Sequence, residues 1–326
     1  MLILIDILKI ALQFTLVFIG ITIEDTFFPP PEATSTIEES SFITEEFPQE
    51  EKELLQGKWH QHYNLIAHAL GDIEGRIETN SKEAFLSSYA KGIRVMEADL
   101  QLTSDDVLVV RHDFEQISYY NLEQKVYDGD TDMDLARFIS EKINYKYTPL
   151  TAEDLIALLI EYDDVFWVTD TKDTDPEIIE KQFSQLVELV KETEDETLFD
   201  RIIVQIYQEE MLLLINEIYP FSNWIFTLYQ IEDPDIEQIA TFCQDNAIDV
   251  VTMPYNTITL EKSTILQEQG LKVYTHSLNR LWDVMYAQYA GIDGIYSDIL
   301  TQEDLTLLIV KPFVLEESLL PNLEIN

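Results

Sequence analysis

Glu97 and Asp99 stand two apart in the run IRVMEAD. In a strand alternate residues leave from one face, so the pair sets two carboxylates side by side at a strand end. That is half of a site for a hard divalent cation. Asp170 and Lys172 repeat the spacing after VFWVTD, where Asp170 can complete an oxygen shell and Lys172 can meet a phosphate oxygen. Such an all-oxygen set suits Mg²⁺ or Ca²⁺. His68 closes YNLIAH, and His112 follows the apolar run Val107 to Val110 within VVRHD. An imidazole titrates near neutral pH, so two of them beside a cation suit cleavage of a phosphodiester: one takes a proton from the attacking oxygen and the other protonates the departing one. Taken singly, each carboxylate in so acidic a chain reads as a solvated or capping residue. The constellation carries the chemical reading.

These residues need elements to hold them, and eight short apolar runs supply candidates. They end at His68, Asp99, Asp170, Ile206, Leu228, Met253, His276 and Ser297. Helical patterns separate them, among them Ser81 to Ala90, Pro176 to Lys191, and Leu260 to Gln269, the last closed by Gly270 in the helix-stop position. Strands alternating with helices predict parallel pairing, and eight such units favour an α/β fold of the TIM-type (β/α)8 barrel class over an open sheet. The chemistry then gathers at the C-terminal mouth of the strands. Val107 to Val110 reads as an added hairpin strand near that mouth.

The stretch IAHALGDIEGRIETNSKEAFLSSYAKGIRVMEADLQLTSDDVLVVRHD resembles the signature of the glycerophosphodiester phosphodiesterase family: a His after the first strand, G-x-x-x-x-E-x-D, T-x-D and a closing H-D. VTDTK, VYTHSLN and GIDGIYSD resemble the family's later strands, so the likeness runs from about Leu65 to Leu300. It implies a catalytic pair in His68 and His112, a Mg²⁺ or Ca²⁺ ion on Glu97, Asp99 and Asp170, a phosphate contact from Lys172, and a small phosphodiester or phospholipid-derived substrate. The family usually has an Arg after the first His, where this chain has Ala69; Arg76, in the loop after the first strand, is the candidate for partial replacement. It usually has Glu-Asn-Thr before the first helix, where this chain offers Thr79-Asn80-Ser81 or, one residue out of register, Glu78-Thr79-Asn80. His276 stands where a Trp is common, as a planar ring to stack on substrate or a third polar group. Asp170 in place of the usual Glu resembles the related sphingomyelinase D branch, whose lyase chemistry leaves a cyclic phosphate. A catalytically silent barrel used for binding is the rival from outside enzymes.

The remaining sequence bounds this reading. With 62 acidic against 20 basic residues and a formal charge of -42, the surface repels nucleic acid, and none is expected as a partner. Cys243 is the only cysteine, which excludes an intrachain disulfide. Leu2 to Ile23 is almost wholly apolar; as a helix it would span roughly 33 Å, enough to cross a bilayer. Residues 1–23 are expected to be a signal anchor or signal peptide, 24–58 an acidic Pro/Thr/Glu-rich stalk, and 59–326 the barrel, membrane-anchored outside the cytoplasm or secreted. Residues 114–147 form an insertion rich in Tyr and Phe, read either as a lid over the mouth or as a small packed subdomain. His60 and His62 are expected on the surface.

Overall fold

The structure is a computed structural model that describes residues 58–126 and 133–310. Of the two units into which the chain divides, Met1–Pro48 and Gln49–Asn326, only the second contains described residues. The apolar N-terminal segment and most of the acidic stalk therefore lie outside them. Among the described residues no helix is long and apolar enough to cross a membrane.

Eight parallel strands close into a barrel: β1 (Leu65–Ala67), β2 (Val95–Leu102), β5 (Phe166–Asp170), β6 (Ile202–Ile206), β7 (Asn223–Thr227), β8 (Val250–Pro254), β9 (Lys272–His276) and β10 (Gly294–Ser297). The strand order runs from β1 through β10 back to β2, and pairing of β1 with both β10 and β2 closes the ring. This is the TIM-type fold expected above. The runs are continuous rather than alternating because both faces are buried, one against the barrel interior and the other against helices. All five residues of β5 and of β6 are buried.

Ten α-helices are described: α1 (Lys82–Ala90), α2 (Gln116–Asn121), α3 (Leu135–Ser140), α4 (Ala152–Glu161), α5 (Pro176–Glu192), α6 (Glu209–Ile218), α7 (Ile236–Asp245), α8 (Leu260–Glu268), α9 (Leu281–Tyr289) and α10 (Gln302–Val310). Part of the acidic surplus serves their starts. Asp134, Asp175 and Asp235 accept from first-turn N–H groups of α3, α5 and α7, where a carboxylate also complements the helix dipole.

The end of the barrel opposite the mouth is plugged by Trp59, which packs with Ile66, Val95, Phe166, Ile203, Val250 and Tyr274. His60, beside it, is a correction to the surface reading: its side chain is only 8% exposed and lies 3.5 Å from Asp249. Gly294 is required here by space. A Cβ on it would sit 2.4 Å from the Tyr274 ring, whose hydroxyl donates to Tyr63 O at 2.5 Å and so cannot swing away freely. Gly294→Ala is expected to lower stability by about 1–3 kcal/mol, the usual range for overpacking, as read from the urea midpoint.

Beyond the barrel β2 continues into an antiparallel hairpin with β3 (Leu108–Val110), which pairs in turn with β4 (Leu150–Thr151). Val109, Tyr119, Met133 and Phe138 form a small core, and Leu122, Ile143 and Tyr147 another. The insertion's buried aromatics thus serve its own packing, and none of them lines the cavity at the mouth. Tyr120 and Tyr145 are exposed, while Tyr127 falls outside the described residues.

Candidate active site

The register of β2 with β5 sets Asp99 opposite Asp170, and Glu97 enters from the same face of β2. Ligand oxygens of the three carboxylates lie within 4.8 Å of one another. All three residues are buried, and Glu97 Oε1 and Asp170 Oδ1 have no hydrogen-bond partner. Buried acceptors without donors are costly, and a bound cation is one way to satisfy them. The donor set is oxygen only and fits a hard divalent ion.

Each carboxylate is positioned by its surroundings. After β1 the backbone turns through Ala69 (φ 46°) and Gly71 (φ 87°), which points the Ala69 N–H at Glu97 Oε2, 2.7 Å away. Only glycine fits at position 71, because a Cβ there would lie 2.2 Å from Ser88 Oγ. Asn80 Nδ2 donates to Asp99 Oδ2 at 2.7 Å, and Asp99 N donates back to Asn80 Oδ1 at 3.2 Å. Lys172 Nζ donates to Asp170 Oδ2 at 2.5 Å and lies 2.9 Å from Asp99 Oδ1 as an ion pair. Its ammonium is therefore held against the carboxylates.

The electrostatics follow from burial and crowding. Burial, reinforced by the charge of Asp99, pushes the Glu97 carboxyl up to about 8. Burial also raises Asp170, despite Lys172. At Asp99 burial is outweighed by Lys172, His112 and His68, which hold it down at about 2. Burial would depress Lys172, but Asp99, Asp170 and Glu97 raise it above the ordinary lysine value.

His68 Nδ1 and Asp298 Oδ1 are 2.7 Å apart, and His68 Nε2 is 4.0 Å from Glu97 Oε2. Asp298 follows β10 and is held by Asn279, whose amide donates to Oδ2 at 2.5 Å. Burial opposes protonation of His68, but the hydrogen bond to Asp298 and the charges of Glu97, Asp298 and Asp99 raise it to about 9. A cavity of about 570 Å³ opens over these groups. Its lining includes His68, Glu97, Asp170, Lys172 and His276.

His112 and Arg76 are not among the residues that line it. The antiparallel turn of β3 returns His112 to the level of Asp99, since Arg111 N donates to Asp99 O at 3.0 Å. The His112 side chain nonetheless sits on the rim, 46% exposed, with Nδ1 2.5 Å from Asp113 Oδ2. Arg76 is half-exposed and pairs with Glu123 of the insertion at 3.0 Å.

Asp298, Asn279 and Asn80 were not singled out for roles by sequence reasoning. The Ser-Asp after the eighth strand run, at the same mouth as His68, was the available signal for Asp298. Gln205 and Thr227, at the ends of β6 and β7, also line the cavity and were missed because single polar residues in apolar runs look like ordinary core exceptions.

A closed (β/α)8 barrel with buried carboxylates and an Asp-bound histidine at its mouth is the site of a barrel enzyme equipped for acid–base chemistry. Residues 73–301 match the family model described as the Glycerophosphoryl diester phosphodiesterase family, and the chain belongs to that family, whose members are phosphoric diester hydrolases. Among curated proteins no sequence matches this chain. Similar solved structures include an Oleispira antarctica phosphodiesterase in complex with the product sn-glycerol-3-phosphate (16% identity, TM-score 0.62, covering 76% of this chain and 97% of that one). Glycerophosphodiester phosphodiesterases from Parabacteroides distasonis (17%, 0.58, 76% and 97%) and Thermotoga maritima (16%, 0.53, 77% and 99%) are also similar. At these identities the likeness is one of fold.

Proposed function

We propose that this chain is a divalent-cation-dependent phosphodiesterase that hydrolyses small glycerophosphodiesters, with His68 and His112 sharing acid and base duties. The observation that carries the reading is the trio of buried carboxylates with unpartnered oxygens beside the His68–Asp298 pair. The bound sn-glycerol-3-phosphate of the Oleispira antarctica structure supports a glycerol phosphate product.

Glu97, Asp99 and Asp170 would hold the ion, Mg²⁺ or Ca²⁺, which when bound supplies positive charge to the phosphate. Lys172 lends its ammonium to the same oxygens as negative charge builds in the transition state. Asp298 accepts from His68 Nδ1 and so directs Nε2 toward the cavity. Against the opposing effect of burial, the hydrogen bond to Asp298 favours the protonated form of His68, which suits it to the acid: its Nε2 proton goes to the alcohol oxygen as the P–O bond to that oxygen breaks. His112, oriented by Asp113, takes the proton of the water whose oxygen forms the new bond to phosphorus. The products are a phosphomonoester and an alcohol.

Phosphorus NMR of a glycerophosphodiester digest with divalent cation tests this. Glycerol phosphate is the expected product; a cyclic phosphate would move the chain to lyase chemistry, and no product would favour a silent barrel.

The reading extends to place. Leu2 to Ile23 followed by the acidic stalk supports a barrel held outside the cytoplasmic membrane. Protease added to intact cells should then degrade the barrel. Full protection in a soluble cytosolic fraction would overturn this.

A further inference from the structure

In the ring of eight strands β9 lies four places from β5 in either direction, so His276 looks across the cavity at Asp170 and Lys172. Its Nδ1 is 3.1 Å from Thr252 Oγ1. Thr252 is fully buried, and this is the hydroxyl's one hydrogen bond among the described residues. Were Nδ1–H the donor, the hydroxyl proton would be buried without an acceptor, which costs more than an underused lone pair. Thr252 therefore donates to Nδ1, and the imidazole proton sits on Nε2. That nitrogen has no partner among the described residues, and the ring, set edge-on to Tyr229 and Tyr296 at 6.1 and 5.9 Å, borders the cavity. Burial and the positive charges of His68 and Lys172 hold His276 down at about 4, so it is a neutral donor at working pH.

The surroundings of His276 differ in kind from the opposite wall. Thr227 Oγ1, on β7, is buried, lines the cavity and has no hydrogen-bond partner. Gln205, on β6, accepts from the Tyr296 hydroxyl at 2.8 Å and also lines it. The three carboxylates, the Lys172 ammonium and His68 gather at the ends of β1, β2 and β5; neutral donors and acceptors face them from β6, β7 and β9, and the loop residues Glu232, Asp233 and Lys262 also line the cavity. Neutral groups of this kind match alcohol hydroxyls, whose pairing needs no charge and whose absence would leave buried groups unpaired.

We propose that His276 Nε2–H, with the Thr227 hydroxyl, binds the free hydroxyl groups of the glycerol arm, making His276 the residue that selects a polyol diester. This rests on the diesterase reading above. Its test uses the purified full chain with Mg²⁺ and two substrates, glyceryl p-nitrophenyl phosphate and propyl p-nitrophenyl phosphate, which share a leaving group and differ in two hydroxyls. The wild type is expected to prefer the glyceryl ester by about a hundredfold or more in kcat/KM. His276→Phe should cut the glyceryl value far more than the propyl value, leaving a ratio within about threefold of one. His276→Gln, which keeps an N–H donor of similar reach, should retain part of the preference, and Thr227→Val should lower it about tenfold. Equal loss on both esters in His276→Phe, with the preference intact in Thr227→Val, would make these residues structural and overturn the inference. So would a wild type that cleaves both esters equally well. Cleavage of neither ester would instead remove the diesterase reading beneath it.

Discussion

Stripping divalent cations from the purified protein is expected to abolish diesterase activity, and Mg²⁺ or Ca²⁺ to restore it. Glu97, Asp99 and Asp170 bring oxygens within 4.8 Å of one another in a buried place. At that separation two full negative charges repel by roughly 3 kcal/mol at an effective dielectric of about 20, and Lys172 can balance only part of this. The protein therefore holds the trio at a cost that a divalent cation offsets. Two results follow from one cause. Glu97→Gln should lower turnover by about a thousandfold or more, yet above about pH 8, where Glu97 carries its charge, raise the melting temperature of the cation-free protein by removing one of the crowded charges. The pH dependence has a definite sign: Glu97 binds its proton more tightly folded than unfolded, so cation-free stability falls as pH rises from the ordinary glutamate range through about 8. Saturating cation should flatten or reverse that slope. Full activity in chelator, or a melting temperature unmoved by Mg²⁺ and Ca²⁺ alike, would remove the ion from the scheme.

Much of this was legible in the sequence because strand ends are. The runs ending at Asp99, Asp170 and His276 finish where β5 and β9 finish and where β2 leaves the barrel, since a buried parallel strand must be a short apolar run and its last polar residue must be at the mouth. The i, i+2 carboxylates needed only the period of a strand. What stayed hidden depended on closure. His68 and Asp298 are 230 residues apart and meet only because β1 pairs with β10. Asn80 reaches Asp99 from a loop whose backbone turns left-handed at Asn80 itself (φ 49°), which no hydrophobic period records. The placement of Arg76 depended on a contact of the same kind: its loop could turn inward or outward, and Glu123, with which it pairs, belongs to the insertion. Lys172 was read as a phosphate ligand alone, whereas burial among three carboxylates binds it to Asp99 and Asp170 first.

His68→Ala is expected to lower kcat by between about a hundredfold and ten-thousandfold on a glycerophosphodiester with an ordinary alcohol leaving group, the range for losing a general acid. The size should depend on the leaving group. An alkoxide needs a proton as it departs, whereas p-nitrophenolate does not, so the same substitution should cost about tenfold or less with a p-nitrophenyl ester. Asp298→Asn keeps the shape but replaces the carboxylate that holds His68 Nδ1 at 2.7 Å; it should show the same dependence on leaving group at about a tenth of the effect. Because the two residues act as a unit, the double variant should be little worse than His68→Ala alone. His112→Ala provides the contrast. A base that takes the proton of the attacking water is needed whichever group leaves, so its loss of about a hundredfold should be equal on both esters. Steady-state kinetics on the two esters separates the roles. A His68→Ala enzyme impaired equally on both would mean that His68 is not the acid, and a His112→Ala enzyme at full rate on both would mean that another group is the base.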